Sequence, residues 1–262
     1  MKRLSVLLAL CVAVWPISGH AAPVTVVNAG FEDTSGQAVF NEFTFGTPTG
    51  WVQYDPNSII VGSGNGPDVF LGTLEPNGTD FFNATAPQGN KVAIMFNRGA
   101  STGAGEFGLT QTLGDTLQAN TRYELAVEVG NIASGTAQNA EFFNLDGFPG
   151  YRIELLAGGV VIGQDNNTLG GLIPEGEFLT SVFTVDVGAA HAQLGQSLGI
   201  RLVNLNQLTG LPSLPDLEVD FDDVHLDATA ISAPGSVALF SLVLGVLVIR
   251  QRQQSLCQWR NL

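Results

Sequence analysis

Arg122-Tyr123-Glu124-Leu125-Ala126-Val127-Glu128-Val129 decides the fold class. On an extended chain Tyr123, Leu125, Val127 and Val129 share one side, and Arg122, Glu124 and Glu128 share the other. That period of two belongs to a strand with one face buried and one face wet. Similar short runs lie on either side of it, at residues 24–27, 50–54, 91–96, 107–113, 151–156, 160–164, 178–187, 198–204 and 217–226. Ala157-Gly158-Gly159 separates two of them as a hairpin turn would. Residues 22–230 contain no convincing helical period, so the sequence predicts an all-β jelly-roll β-sandwich. Two connections, 62–88 and 131–150, exceed a turn in length, and connections that long are often functional. The first carries Phe70, Phe81 and Phe82, the second Phe142, Phe143 and Phe148. These rings either stack on a sugar or plug the loops against the sandwich.

The two ends of the chain have a different texture. Lys2 and Arg3 precede an apolar run at 4–14, and small residues follow at Ser18, Gly19, Ala21 and Ala22. This is the layout of a secretory signal peptide covering 1–21. At the other end an apolar run at 237–249 is closed by Arg250, Gln251 and Arg252. The stretch 236–249 reaches about 21 Å as a helix, short of a ~30 Å hydrocarbon core unless 231–233 extend it. Arginines after the run follow the positive-inside bias. The expected organisation is thus a signal peptide (1–21), an exported β-sandwich (22–230), a C-terminal transmembrane segment (231–252) and a cytoplasmic tail (253–262). The C-terminal helix reads either as a permanent anchor or as a transient sorting signal.

The expected ectodomain holds all 24 acidic residues but only Lys91, Arg98, Arg122, Arg152 and Arg201 among the basic ones. So acidic a surface lacks the basic footprint that nucleic acid requires, and it favours neutral or cationic ligands and divalent cations. Both cysteines, Cys11 and Cys257, fall outside that domain, which excludes a disulfide framework and a cysteine nucleophile within it.

The two ends of the domain offer the best constellation. Asn28-Ala29-Gly30-Phe31-Glu32 closes the first strand, and Val219-Asp220-Phe221-Asp222-Asp223-Val224-His225-Leu226 forms the last. Its apolar residues move from odd to even positions at Asp222-Asp223, the signature of a β-bulge. Glu32, Asp222 and Asp223 supply hard oxygen ligands of the kind calcium takes. The alternative is that these acids simply lie apart on a solvated edge. Trp51 and Tyr54 are rigid aromatics near a strand end, suited to sugar contact or to the core. No catalytic set emerges. His191 and His225 read as surface residues, Ser101, Ser134 and Ser181 lack a G-x-S-x-G context, and Gly62-x-Gly64-x-Gly66 has no strand–helix unit after it.

The N-x-x-F-E opening, Gly50-Trp51 and the D-D-V-x-L closing strand resemble the galactose-binding-like jelly rolls of carbohydrate-binding modules. That resemblance implies a structural calcium held by Glu32 and Asp222 near the termini. The C-terminal end resembles the PEP-CTERM sorting signal, with Ala233, Pro234 and Gly235 before the apolar run and Arg250 and Arg252 after it. Such a signal implies an exosortase-type membrane protease as partner. It also implies passage through the inner membrane of a Gram-negative bacterium to the cell surface or extracellular matrix. The two resemblances together lead us to expect a non-catalytic, exopolysaccharide- or biofilm-associated protein. The alternatives are a structural or adhesive surface protein without a glycan ligand and, third, a secreted glycoside hydrolase.

Overall fold

The computed structural model describes residues 20–60, 68–98, 105–207 and 216–231. Among them two antiparallel sheets face each other. The larger runs β13 (Glu177–Val187), β8 (Thr121–Asn131), β15 (Leu217–Ala230), β6 (Val92–Asn97), β5 (Val69–Leu74), β3 (Phe43–Phe45) and β2 (Ala38–Phe40). β1 (Ala21–Val24) pairs with the second half of β15. The smaller runs β12 (Val160–Asn166), β11 (Tyr151–Ala157), β14 (Ser197–Asn204), β7 (Phe107–Thr116) and β4 (Val52–Tyr54). β9 (Gly135–Thr136) and β10 (Phe142–Phe143) form a small separate hairpin.

The all-β sandwich is as expected, and β8 has the alternation that predicts it: Tyr123, Leu125, Val127 and Val129 are buried while Arg122 and Glu124 are exposed. These residues meet Leu109, Ile153, Leu202 and Phe221 in the core between the sheets. A second core lies on the opposite face of the larger sheet, built from Phe43, Phe70, Phe81, Phe96, Ile132, Leu145 and their neighbours. The elements absent from the sequence reading all belong to this region. β5 is buried on both faces, with Val69 and Leu71 in the first core and Phe70 and Leu74 in the second. A strand covered on both sides has no period of two, so it merges with the long connection around it. Gly72 lets β3 cross it closely, because a Cβ there would stand 1.9 Å from the Thr44 carbonyl oxygen.

β15 separates the two cores. Val219 and Phe221 point into the sandwich, and Glu218, Asp220 and Asp222 point to the other face. The pairing with β8 slips by one residue between Asp222 and His225, after which Val224 and Leu226 enter the sandwich core. Asp223 takes a left-handed φ of 48° at the slip, and the Val224 amide donates to the Ala29 carbonyl at 3.1 Å.

No helix among the described residues is long and apolar enough to cross a membrane. Residues 1–19 and 232–262 lie outside the described residues, and with them Ala233, Pro234, Gly235, Arg250 and Arg252.

Candidate active site

The second core is incompletely filled. It encloses a cavity of about 310 Å³, within the range of small-molecule sites, lined by seven phenylalanines among other residues. Phe40, Phe43 and Phe45 come from the β2–β3 hairpin, Phe70 from β5, Phe81 from the β5–β6 connection, Phe96 from β6 and Phe143 from β10. Phe70 and Phe96 stack at 4.5 Å, and Phe45 meets Phe70 edge to face at 4.8 Å. Aromatic pairs of this kind give the wall a preferred geometry beyond simple burial. The β9–β10 hairpin closes one side. Arg98 and Glu141, paired at 3.0 Å, stand at the mouth with Asn139. The Arg98 guanidinium lies 5.6 Å from the centre of the Phe143 ring.

One ionisable group reaches the cavity from beneath. Glu218 faces it from β15, opposite Phe96 in the β15–β6 ladder. It is 3% exposed, and Asp220, two residues on along the same face, is fully buried. Glu218 Oε1 and both carboxyl oxygens of Asp220 meet no well-aligned hydrogen-bond partner among the described residues, and the two carboxyls answer only each other. Burial pushes both carboxyls well above the usual carboxylate range, and at Asp220 the neighbouring Glu218 charge adds to the shift. Removing a charge from water costs more than these surroundings return, so burial favours the neutral form of Glu218 at the floor of an aromatic cavity. Strongly perturbed carboxyls in a cleft mark candidate catalytic groups. The sequence reading missed both residues, though a signal was present. Glu218, Asp220 and Asp222 alternate with Leu217, Val219 and Phe221, and the strand beside them reads Val92-Ala93-Ile94-Met95-Phe96, with no polar residue to answer them.

The expected metal ligands gather at the bulge itself. Asp222 is buried, its Oδ2 accepting the Gln88 amide at 2.7 Å and its Oδ1 the Asp223 amide at 2.8 Å. Glu32 Oε1 accepts the Asn90 and Lys91 amides at 2.6 and 2.8 Å. The 88–91 turn thus ties Glu32 to Asp222, and a Cβ on Gly89 would stand 2.3 Å from Glu32 Oε1. Burial pushes the Asp222 carboxyl up to about 8, and the charges of Asp223 and Glu32 contribute. An acid so crowded by acids fits a small hard cation. Asp223 is directed elsewhere, its Oδ1 lying 3.1 Å from His225 Nδ1. No group of three or more His, Cys, Asp or Glu side chains among the described residues is gathered tightly enough to form a metal centre.

Trp51 is 5% exposed, packs against Phe31 at 5.4 Å and donates its Nε1–H to the Asn28 carbonyl at 3.3 Å. Tyr54 lies on the outer face of the smaller sheet, where its hydroxyl meets Glu106 at 2.7 Å and the Arg201 guanidinium covers its ring at 4.2 Å. Neither residue borders the phenylalanine cavity.

Residues 22–227 match the HpiC1 cyclase family. Several solved structures are similar to the chain. A cyclase from Fischerella sp. TAU is 37% identical, with a TM-score of 0.67, over 82% of this chain and all of that one. The Stig cyclase Fisc from the same organism, in complex with (3Z)-3-(1-methyl-2-pyrrolidinylidene)-3H-indole, is 37% identical, with a TM-score of 0.67, over 81% of this chain and all of that one. A cyclase from Fischerella sp. TAU in complex with 4-(1H-indol-3-yl)butan-2-one is also 37% identical, with a TM-score of 0.65, over 81% of this chain and all of that one. No curated protein matches. These matches overturn the expectation of a non-catalytic PEP-CTERM surface protein, because the relatives are cyclases. The expected exosortase and polysaccharide partners fall with it, since the relatives' bound molecules are small indoles. The misreading has a physical origin. A short jelly-roll motif reports the sandwich and says nothing of the layer added outside it, and it is sites on a fold that carry function.

Proposed function

The chain belongs to the HpiC1 cyclase family, and from that premise we propose that it closes a ring on a flat, apolar, indole-bearing small molecule by acid catalysis in the phenylalanine cavity. The observation that carries this reading is Glu218, a buried neutral carboxyl without a cationic partner among the described residues, facing an aromatic space. The indole ligands held by two of the relatives support the substrate class. In the reaction the Glu218 O–H bond breaks as its proton moves to an unsaturated position of the substrate, leaving an electron-poor carbon. A π bond of the same molecule attacks that carbon and forms the ring bond. Loss of a proton to the Glu218 carboxylate restores the acid, so the product is an isomer of the substrate. The phenylalanine walls exclude water, which would otherwise capture the cation, and fix the fold of the reacting chain.

The test uses a panel of indoles carrying tethered alkenes or imines. The wild-type protein should convert at least one to an isomer of unchanged mass. Glu218→Gln should still bind 4-(1H-indol-3-yl)butan-2-one yet lose turnover by 10²-fold or more, the usual scale for a general acid. An equally active Glu218→Gln protein refutes the assignment.

Glu32 and Asp222 would hold a calcium ion, with Asp223 beside them, a reading supported by the crowding of the Asp222 carboxyl by those two acids. The ion's chemistry there is charge neutralisation, joining the first strand's end to the bulge of β15, away from the cavity. The leader expected at 1–21 supports export, which the mass of the mature amino terminus from the native host would test.

A further inference from the structure

The cavity carries a second reading that rests on the first. Among the described residues seven phenylalanines line it, and no tyrosine, tryptophan or histidine does, so its walls offer rings without a hydrogen-bonding tip. Ring faces carry negative quadrupole charge and attract cations. One ring of this wall already has a cation over it, the Arg98 guanidinium 5.6 Å from the Phe143 centroid. Carboxyls stand at both ends of the space, Glu218 at the floor and Glu141 at the mouth, and the charge on Arg98 is matched by Glu141 at 3.0 Å. A site that merely enclosed a neutral aromatic would gain nothing from two acids.

We propose that the phenylalanine cavity is selective for organic cations, taking a quaternary ammonium or iminium group on an indole frame in preference to a neutral molecule of the same shape, with Arg98 as the residue that limits this preference at the mouth. Only contacts stronger in the charged intermediate than in the neutral substrate speed the reaction; ring faces are such contacts, and the Glu218 carboxylate joins them once its proton has left. Arg98 works in the other direction. It covers the face of Phe143 and sets a positive charge at the entrance, so a bound cation competes with it.

The experiment compares 3-[2-(trimethylammonio)ethyl]indole with its neutral isostere 3-(3,3-dimethylbutyl)indole by calorimetry on the full chain. The cation should bind about ten-fold more tightly, the scale of a desolvated cation–π contact with added charge. Glu218→Gln should reduce the preference to the share the ring faces supply, because a bound cation draws the Glu218 proton off and the amide has no such proton to lose. Arg98→Met should tighten the cation about five-fold, the effect of removing one partly screened like charge, and leave the isostere unchanged. If the isostere binds as well as the cation, selectivity for charge is overturned and the cyclase reading stands. If neither binds, and 4-(1H-indol-3-yl)butan-2-one does not bind either, the cavity is not the substrate site and both readings fail. Arg98→Met weakening both ligands equally would overturn the part assigned to Arg98.

Discussion

Replacing Glu218 by methionine should make the protein more stable and inactive, and the gain should depend on pH. Methionine conserves the volume and removes a buried polar group whose Oε1 is unpartnered. Leaving such a group unsatisfied costs about 1–3 kcal/mol. In the unfolded chain the carboxyl titrates near 4.5, and in the fold burial raises it. A raised acid gives stability that is whole below the unfolded value and is lost as pH rises through the folded one. Between the two values the loss is about 1.4 kcal/mol per pH unit. Wild type should therefore lose more stability than Glu218→Met on moving from pH 5 to pH 7. For a domain of this size each kcal/mol moves the Tm by about 2–4 °C. Thermal unfolding at pH 5 and pH 7, followed by tryptophan fluorescence, should show the variant melting several degrees higher, with the larger gain at pH 7. A variant that melts several degrees lower at both pH values would mean that Glu218 has a structural partner, and the neutral-acid reading would be wrong.

Asp165 is a buried carboxyl of the opposite kind. Burial works to raise it, but the hydroxyls of Ser181, Tyr151 and Thr168 donate to it and hold it below the usual carboxylate range. Its contribution is present above about pH 4 and lost as pH falls, so Tyr151→Phe should cost about 1–3 kcal/mol and raise the acid-unfolding midpoint followed by circular dichroism. Gly72→Ala should lower the Tm by several degrees even though alanine is small, because the new Cβ would meet backbone 1.9 Å away on β3; an unchanged Tm would mean that the two strands are free to part. Calcium at a hundred times its dissociation constant should add about 2.7 kcal/mol to stability. Chelator should reverse that gain and Asp222→Asn should abolish it, whereas a Tm indifferent to both would remove the metal from this protein.

The fold was legible wherever one face of a strand is wet. β8 alternates because β13 and β15 flank it while one of its faces meets solvent, and the phase slip at Asp222-Asp223 was visible because apolar residues on either side of it change parity. The candidate site was not legible, for two reasons. β5 is buried on both faces, so it carries no alternation to distinguish a two-sided strand from an apolar stretch of loop, whereas β6, equally buried, stands out as the run at 91–96. The acid at the floor belongs to no motif: Glu218 acts through its surroundings, and those surroundings come from Phe70, Phe96 and Phe143, distant in sequence. The aromatics of the two long connections stand out in the sequence, but nothing within either connection pairs them with the other. Only the fold brings Phe81 of the first to within 6.2 Å of Phe143 of the second.

The bulge in β15 reconciles the two halves of this architecture. Before it, odd residues enter the sandwich and Glu218, Asp220 and Asp222 face the other way. With an unbroken alternation Val224 and Leu226 would face the same way as those acids, and the lower half of the sandwich would lose both from its core. The extra residue restores them to the first core. A single strand can therefore close the sandwich along its whole length while presenting acids to the second face along only half of it. The same slip sets Asp222 beside the turn that holds Glu32. A cation bound there would brace the strand four residues from Glu218 without entering its cavity. Deleting Asp223 should straighten the strand and expel Val224 from the core, so unfolding and loss of calcium response should appear together in that variant.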